Sequence, residues 1–292
     1  MLKSYFVTPK ELSDAISNQT SNGETTSRII PVCAAWFLPN DPQKRTGRQV
    51  FDEKRIPNAR FFDLDAIKDH DSQYPHMLPT TEVFADAMAD LGIEKRDTVV
   101  VYDTHELGLF SAPRVAWTFK TFGHGGGVHI LNNFRTWIEE GHPTESGQQT
   151  QSYDKTKYPT PDLHPDMVAS FRMVKAIASN RAKQEDEEAQ VIDLRSPGRF
   201  SGAEPEPRPG LPSGHMPGSI NLPLPELLDP QSKTLLPTED LIRVFESKGV
   251  DPTKPIITTC GTGVMAAALD AALDATDFGS ADNRKVYDGS WT

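Results

Sequence analysis

The chain has 292 residues, 37% of them hydrophobic, which suffices for two globular domains of about 100–150 residues each. A net charge of -11 at pH 7 argues against a primary nucleic-acid or anionic-membrane surface, and no apolar run approaches the ~20 residues of a membrane span. Cys33 and Cys260 are the two cysteines; without a CxxC pair they give neither a disulfide framework nor a zinc site, so a reducing compartment and a chain without metal or cofactor are expected.

The N-terminus, MLKSYFVTPKELSDAI, carries acidic residues early and lacks the Arg-rich, acidic-poor pattern of a transit peptide, so a cytoplasmic location is expected. RIIPVCAAWFL (28–38) is strand-like and holds Cys33 with no Gly loop after it, which reads as a buried structural thiol. RIPNARFFDLDAI (55–67) precedes the helical pattern TEVFADAMADLGI (81–93), the strand TVVVYD (98–103), a helix near SAPRVAWTFKTFG, and the strand VHILNNF (128–134). Residues 143–165, rich in Pro, Ser, Gln and Thr, read as a linker, and KQEDEEAQ (183–190) as a solvated connection before the strand VIDLR.

The order then repeats. HMPGSINLPLPEL (215–227) precedes TEDLIRVFESKGV (238–250), the strand PIITTC (255–260), an Ala/Leu-rich helix from Ala266, and KVYDGSW (285–291). Pro57 and Pro217, Asp103 and Cys260, and Asn132 and Asp288 stand at nearly constant offsets, so the halves are two copies of one unit. Alternating strands and helices predict an α/β fold with a mostly parallel sheet and helices on both faces in each copy. The expected boundaries are 1–142, a linker over 143–165, and 166–292.

Cys260 closes a β-branched run and opens CGTGVM, a Gly-punctuated turn into a helix. Gly261 and Gly263 are expected where the backbone curls, aiming several N–H groups of the loop and helix start at the sulfur. Such nests stabilise anions and favour a thiolate over a thiol. A free cysteine is most often an inert small hydrophobe, but that role needs no nest around it. Where the second copy has Cys260 the first has Asp103, which cannot act as a sulfur nucleophile. The second half is therefore expected to be catalytic and the first to shape the cleft.

The chain resembles the tandem-rhodanese sulfurtransferases, specifically the 3-mercaptopyruvate sulfurtransferase type and within it the fungal branch. The likeness spans essentially the whole chain and rests on RIPNARFFDLDAI, YPHMLP (74–79), GLFSAPRVAW (108–117), GRFSGAEPEPRPGLPSGHMPGSINLP (198–223), CGTGV (260–264) and YDGSW (287–291). It implies two tandem rhodanese-like domains and transfer of sulfur from 3-mercaptopyruvate onto Cys260, leaving pyruvate and a persulfide. A thiol acceptor such as thioredoxin, or cyanide, then takes the sulfur. It also implies that Arg199 and Arg208 hold the substrate carboxylate and carbonyl oxygen, a task suited to arginine's planar fork. The alternative for both is pairing with Glu204 and Glu206. Gly261, Gly263 and Val264 line the same site, and Thr262, His76 and Asp65 match a hydroxyl-histidine-carboxylate relay that protonates the departing enolate. Asp65 and His76 are expected from the first domain, and His215 in GHMPG as a structural residue.

The chain departs from the family at Met265, where Thr or Ser is usual, and it stops at Thr292 where relatives continue with a further helix. Uncharged Gly261, Thr262 and Gly263 favour mercaptopyruvate, since thiosulfate-preferring rhodaneses have basic residues there. A thiosulfate-preferring enzyme and a sulfur-relay component for tRNA wobble-uridine thiolation, working through a rhodanese-bearing partner and with a mitochondrial share, remain open. A phosphatase on this fold needs Cys-x5-Arg, and the sixth residue after Cys260 is Ala266.

Overall fold

The computed structural model describes residues 2–22, 27–149, 152–182 and 189–292. The acidic run at 183–190 lies, up to residue 188, outside the described residues. The chain divides into two compact units. One comprises Met1–Asp71, Leu78–Leu163 and Ser232–Thr234; the other comprises Ser72–Met77, His164–Gln231 and Leu235–Thr292. His76 therefore belongs with the second unit, not with the first half in which the repeat places it.

In the first unit the elements run β1 (Phe6–Val7), α1 (Pro9–Asn22), β2 (Ile29–Cys33), α2 (Gly47–Glu53), β3 (Arg60–Phe61), α3 (Thr81–Asp90), β4 (Thr98–Tyr102), α4 (Ala112–Thr121), β5 (Val128–Leu131) and α5 (Phe134–Glu139). The strands form one parallel sheet in the order β1-β5-β4-β2-β3. In the second unit they run β6 (Val168–Ala169), α6 (Phe171–Ala182), β7 (Gln190–Asp193), α7 (Pro197–Ser201), β8 (Ile220–Asn221), α8 (Thr238–Ser247), β9 (Ile256–Thr259), α9 (Ala266–Thr276) and β10 (Arg284–Tyr287). That parallel sheet has the order β6-β10-β9-β7-β8, the same topology strand for strand.

Val100, Tyr102, Leu131 and Cys33 of the first sheet are buried with Phe51, Phe134 and Trp137. Val191, Ile257 and Tyr287 of the second are buried with Val174 and Ile177 of α6. Helix α9 buries its alanines and leucines from Ala266 to Leu273, because small side chains let it lie close upon β9 and β10. The stretch expected as a linker follows the first unit as far as Leu163. Tyr153 lies under the Arg60 guanidinium, 3.6 Å away, and donates to the Ala59 carbonyl at 2.7 Å; Tyr158 is buried against Phe84 and His124.

The strand order reverses direction between β9 and β7. In open parallel sheets the crevice at the carboxyl ends of the strands flanking such a reversal is where ligands bind. Cys260 leaves β9 there, and Asp193 ends β7 there.

Candidate active site

Cys260 sits at the end of a central strand and is buried, 1% exposed. Gly263 takes φ +76°, a left-handed turn that glycine adopts at little cost, and the chain then enters α9. Gly261 does not share that conformation, so its role differs from the expected curl. A Cβ on Gly261 would stand 2.8 Å from Arg199 Nη2; the missing side chain is what admits the guanidinium. Met265 is the N-cap of α9 and its side chain makes no cap bond, so the helix start lacks the hydroxyl acceptor that Ser or Thr would bring.

Thr262 is nearly buried, and its Oγ1 lies 3.4 Å from Nδ1 of the buried His76. His76 itself has φ +59°, a left-handed conformation in which histidine is enriched among non-glycine residues. Val264 is buried beside them in the loop. Asp65 stands in the first unit, where its carboxylate accepts from the Trp36 indole at 3.1 Å.

Arg199 is positioned by the short helix α7, whose N-cap Ser196 accepts from the Arg199 amide. Its Nε and Nη2 donate to the two oxygens of Glu206 at 3.1 and 2.5 Å, so the expected alternative of a Glu206 pairing is realised beside the loop. Arg208 is half-buried farther along the same excursion. Glu206 also accepts from Arg195 Nη1 at 2.8 Å, and Arg195 donates to Asp193 through Nε and Nη2. Burial alone would raise the Glu206 carboxyl, but Arg199 and Arg195 together hold it below its ordinary range. Arg195 is wholly buried, with its guanidinium 4.4 Å from the Trp291 ring centroid. Sequence reasoning assigned it no role; the available signal was the Asp-x-Arg spacing in VIDLR, which puts both side chains on one face of a strand end.

The segment after β10 holds the loop from the other side. Cys260 N donates to Ser290 Oγ at 3.1 Å, Trp291 N to the Cys260 carbonyl at 3.1 Å, and Thr292 N and Oγ1 to the Gly261 carbonyl at 3.2 and 2.8 Å. Trp291 Nε1 donates to the Pro212 carbonyl, tying in the excursion that carries Arg208. Behind this strap a mostly apolar cavity of about 820 Å³ is lined by Tyr74, Met77, Phe171, Tyr287 and Ser290, and Cys260 and Arg199 are not among its walls. His215 stacks on Phe200 and bonds its carbonyl, the structural role expected of it. Among the described residues no cluster of three or more His, Cys, Asp or Glu could hold a metal, and no helix is long and apolar enough to cross a membrane.

The family model of the Rhodanese-like domain matches residues 177–292. The chain is 41% identical over 281 residues to thiosulfate sulfurtransferase TUM1 of Saccharomyces cerevisiae, covering 92% of this chain and 89% of the relative. It is 40% identical over 271 residues to the probable 3-mercaptopyruvate sulfurtransferase of Schizosaccharomyces pombe, covering 92% and 87%. The crystal structure of Tum1 from Saccharomyces cerevisiae matches with a TM-score of 0.86 at 37% identity, covering 100% of this chain and 95% of that one.

Proposed function

The chain belongs to the rhodanese-type thiosulfate and 3-mercaptopyruvate sulfurtransferases, and on that premise we propose that Cys260 carries the sulfur and that 3-mercaptopyruvate supplies it. The chain is a sulfurtransferase, an enzyme that takes sulfur from a donor and passes it to a thiol acceptor. The observation that carries the residue assignment is the meeting of three things on one loop. A cysteine leaves the central strand, an arginine reaches the loop where Gly261 admits it, and the Thr262 hydroxyl faces His76.

In the proposed reaction the Cys260 thiolate attacks the sulfur of 3-mercaptopyruvate. An S–S bond forms and the C–S bond breaks, with its electron pair passing to carbon as the enolate of pyruvate. Thr262 and His76 deliver the proton that converts the enolate to pyruvate, a short-range transfer of the kind positioned acids perform. Glu206 occupies one edge of the Arg199 fork, and the other edge is directed to the ketoacid carboxylate. Arg208 is assigned to the same substrate.

Charge supports the donor. Arg195 and Arg199 are balanced by Asp193 and Glu206, and Gly261, Thr262 and Gly263 are neutral. With Arg208 outside this balance, the loop and its paired arginines carry no surplus charge of their own, which suits a monoanionic ketoacid better than a dianion. The second reading, thiosulfate as preferred donor, has in its favour that the Saccharomyces relative is a thiosulfate sulfurtransferase by name. Thioredoxin or a rhodanese-bearing relay protein is the proposed acceptor.

The test is intact-mass spectrometry after brief exposure to 3-mercaptopyruvate or to thiosulfate. Wild-type protein and Cys33→Ser should gain the mass of one sulfur atom, faster from mercaptopyruvate, and Cys260→Ser should gain none. Sulfur appearing on Cys260→Ser would remove Cys260 from the reaction.

A further inference from the structure

Ser290 stands out among the buried polar residues of the second unit. It is 4% exposed and has φ +49°, a left-handed conformation that serine seldom adopts. It closes a turn in which its own amide donates to the Tyr287 carbonyl at 3.2 Å. The turn points the hydroxyl at Cys260. Ser290 Oγ accepts from Cys260 N at 3.1 Å, lies 3.0 Å from the Tyr287 carbonyl oxygen, and lies 4.0 Å from Cys260 Sγ.

A serine hydroxyl has one hydrogen and two lone pairs. Here one lone pair is taken by the Cys260 amide, and the hydrogen has two possible acceptors, the Tyr287 carbonyl and the Cys260 sulfur. A neutral thiol is a weak acceptor and loses to the carbonyl. A sulfur anion is a strong one, because hydrogen bonds to charged partners are shorter and roughly twice as strong as neutral ones. Rotation about a single bond moves the hydrogen between them, with no displacement of the backbone. Strained conformations of this sort persist where the surrounding structure enforces them, and they cluster at functional sites. Trp291 and Thr292, bonded to the Cys260 and Gly261 carbonyls, enforce this one.

We propose that Ser290 is a positioning residue of the sulfur-transfer site: its hydroxyl fixes the Cys260 amide and turns from the Tyr287 carbonyl to the Cys260 sulfur when that sulfur is anionic. The inference rests on Cys260 being the sulfur carrier. It adds a donor from the segment that follows β10, whereas Thr262, His76 and Arg199 belong to other segments of the unit. It also gives the left-handed turn a purpose beyond folding.

Two substitutions separate the hydroxyl from the backbone. Ser290→Gly removes the hydroxyl and accepts φ +49° without strain; Ser290→Thr keeps the hydroxyl and is more strained there because it is β-branched. The readout is thiolate absorbance against pH in a Cys33→Ser background, with Cys260→Ser subtracted, which needs no sulfur donor. In Ser290→Gly the profile should move to higher pH, with about three- to tenfold less thiolate near neutrality, and single-turnover persulfide formation should slow by a similar factor. Ser290→Thr should keep the wild-type profile even if it melts earlier. The opposite pattern, a wild-type profile in Ser290→Gly, overturns the proposal whether or not Ser290→Thr folds. Because the profile is read without donor, a wild-type enzyme that forms no persulfide would instead strike at the reading of Cys260 itself.

Discussion

The loops that leave β4 and β9 occupy the same place in two sheets of the same topology, yet they solve opposite problems. In the first unit the strand ends at Asp103, whose buried carboxylate accepts from the amides of Thr104, Phe110, Ser111 and Ala112 and from the Ser111 hydroxyl. Burial pushes the carboxyl above its ordinary range and these N–H groups pull it back; burial prevails. The anion that the nest at the start of α4 attracts is part of the protein. In the second unit the shorter loop carries no carboxylate, and a cysteine stands in the corresponding place. The first loop thus closes its amides on a carboxylate of the protein itself, and on the proposed reading the second leaves the corresponding place to a sulfur.

Breaking the first nest should have the largest effect. Asp103→Ala leaves several buried amides without an acceptor, at a cost of roughly 1 kcal/mol or more each, so urea unfolding should show a loss of about 3 kcal/mol. An Asp103→Ala protein as stable as wild type would mean that this carboxylate is not what holds the loop. The other cysteine gives the same contrast in miniature. Burial pushes the Cys33 thiol up to about 12, as suits an inert residue at the end of β2.

Much of this was legible in the sequence, for reasons that differ by element. β4 (TVVVY) and β9 (IITT) stand out because parallel strands buried on both faces read as near-continuous β-branched runs. α3 begins after Thr80, whose side chain caps it, and α8 carries acidic residues in its first turn. β1, β3, β6 and β8 are two residues long and have no periodicity to read. In α6, Phe171 and Met173 face outward and blur the amphipathic pattern. In the Cys260 loop the left-handed turn at Gly263 was readable from the sequence, whereas the place of Gly261 against Arg199 was not. The seat of Arg199 on Glu206 and the unit to which His76 belongs depend on chain excursions that local propensity does not encode. Ser290 gave no signal beyond following Gly289, because a left-handed serine is imposed by the bonds around it.

The chemistry proposed for the second unit is tested by removing Arg199, which stands beside the Cys260 loop. Arg199→Ala loses a charge-assisted, two-pronged donor, worth roughly 1.5–3 kcal/mol, so kcat/KM for 3-mercaptopyruvate should fall about ten- to hundredfold. Arg199→Lys should recover only part, since it lacks the fork. Unchanged kinetics in Arg199→Ala would leave Arg208 as the sole candidate for the carboxylate.

The smallest expected effect concerns Glu206, the carboxylate that the second unit keeps paired with arginines instead of with amides. Its folded value lies below its ordinary 4.5, despite burial, because Arg199 and Arg195 favour the charged form. A group depressed in this way contributes stability that is fully present above the unfolded value and is lost as pH falls through the folded one. Melting temperature should therefore decline as pH is lowered from about 4.5, and part of that decline should be absent in Glu206→Gln. At neutral pH the same variant should be less stable by about 1–2 kcal/mol, since Arg195 keeps Asp193 but Arg199 loses its partner. Asp103 has the opposite sign: its raised carboxyl favours folding at low pH and loses that contribution as pH rises through the folded value. The two substitutions should thus tilt the acid limb of the stability curve in opposite directions. Parallel curves for Glu206→Gln and wild type would show that the arginines hold Arg199's neighbourhood together without help from this carboxylate.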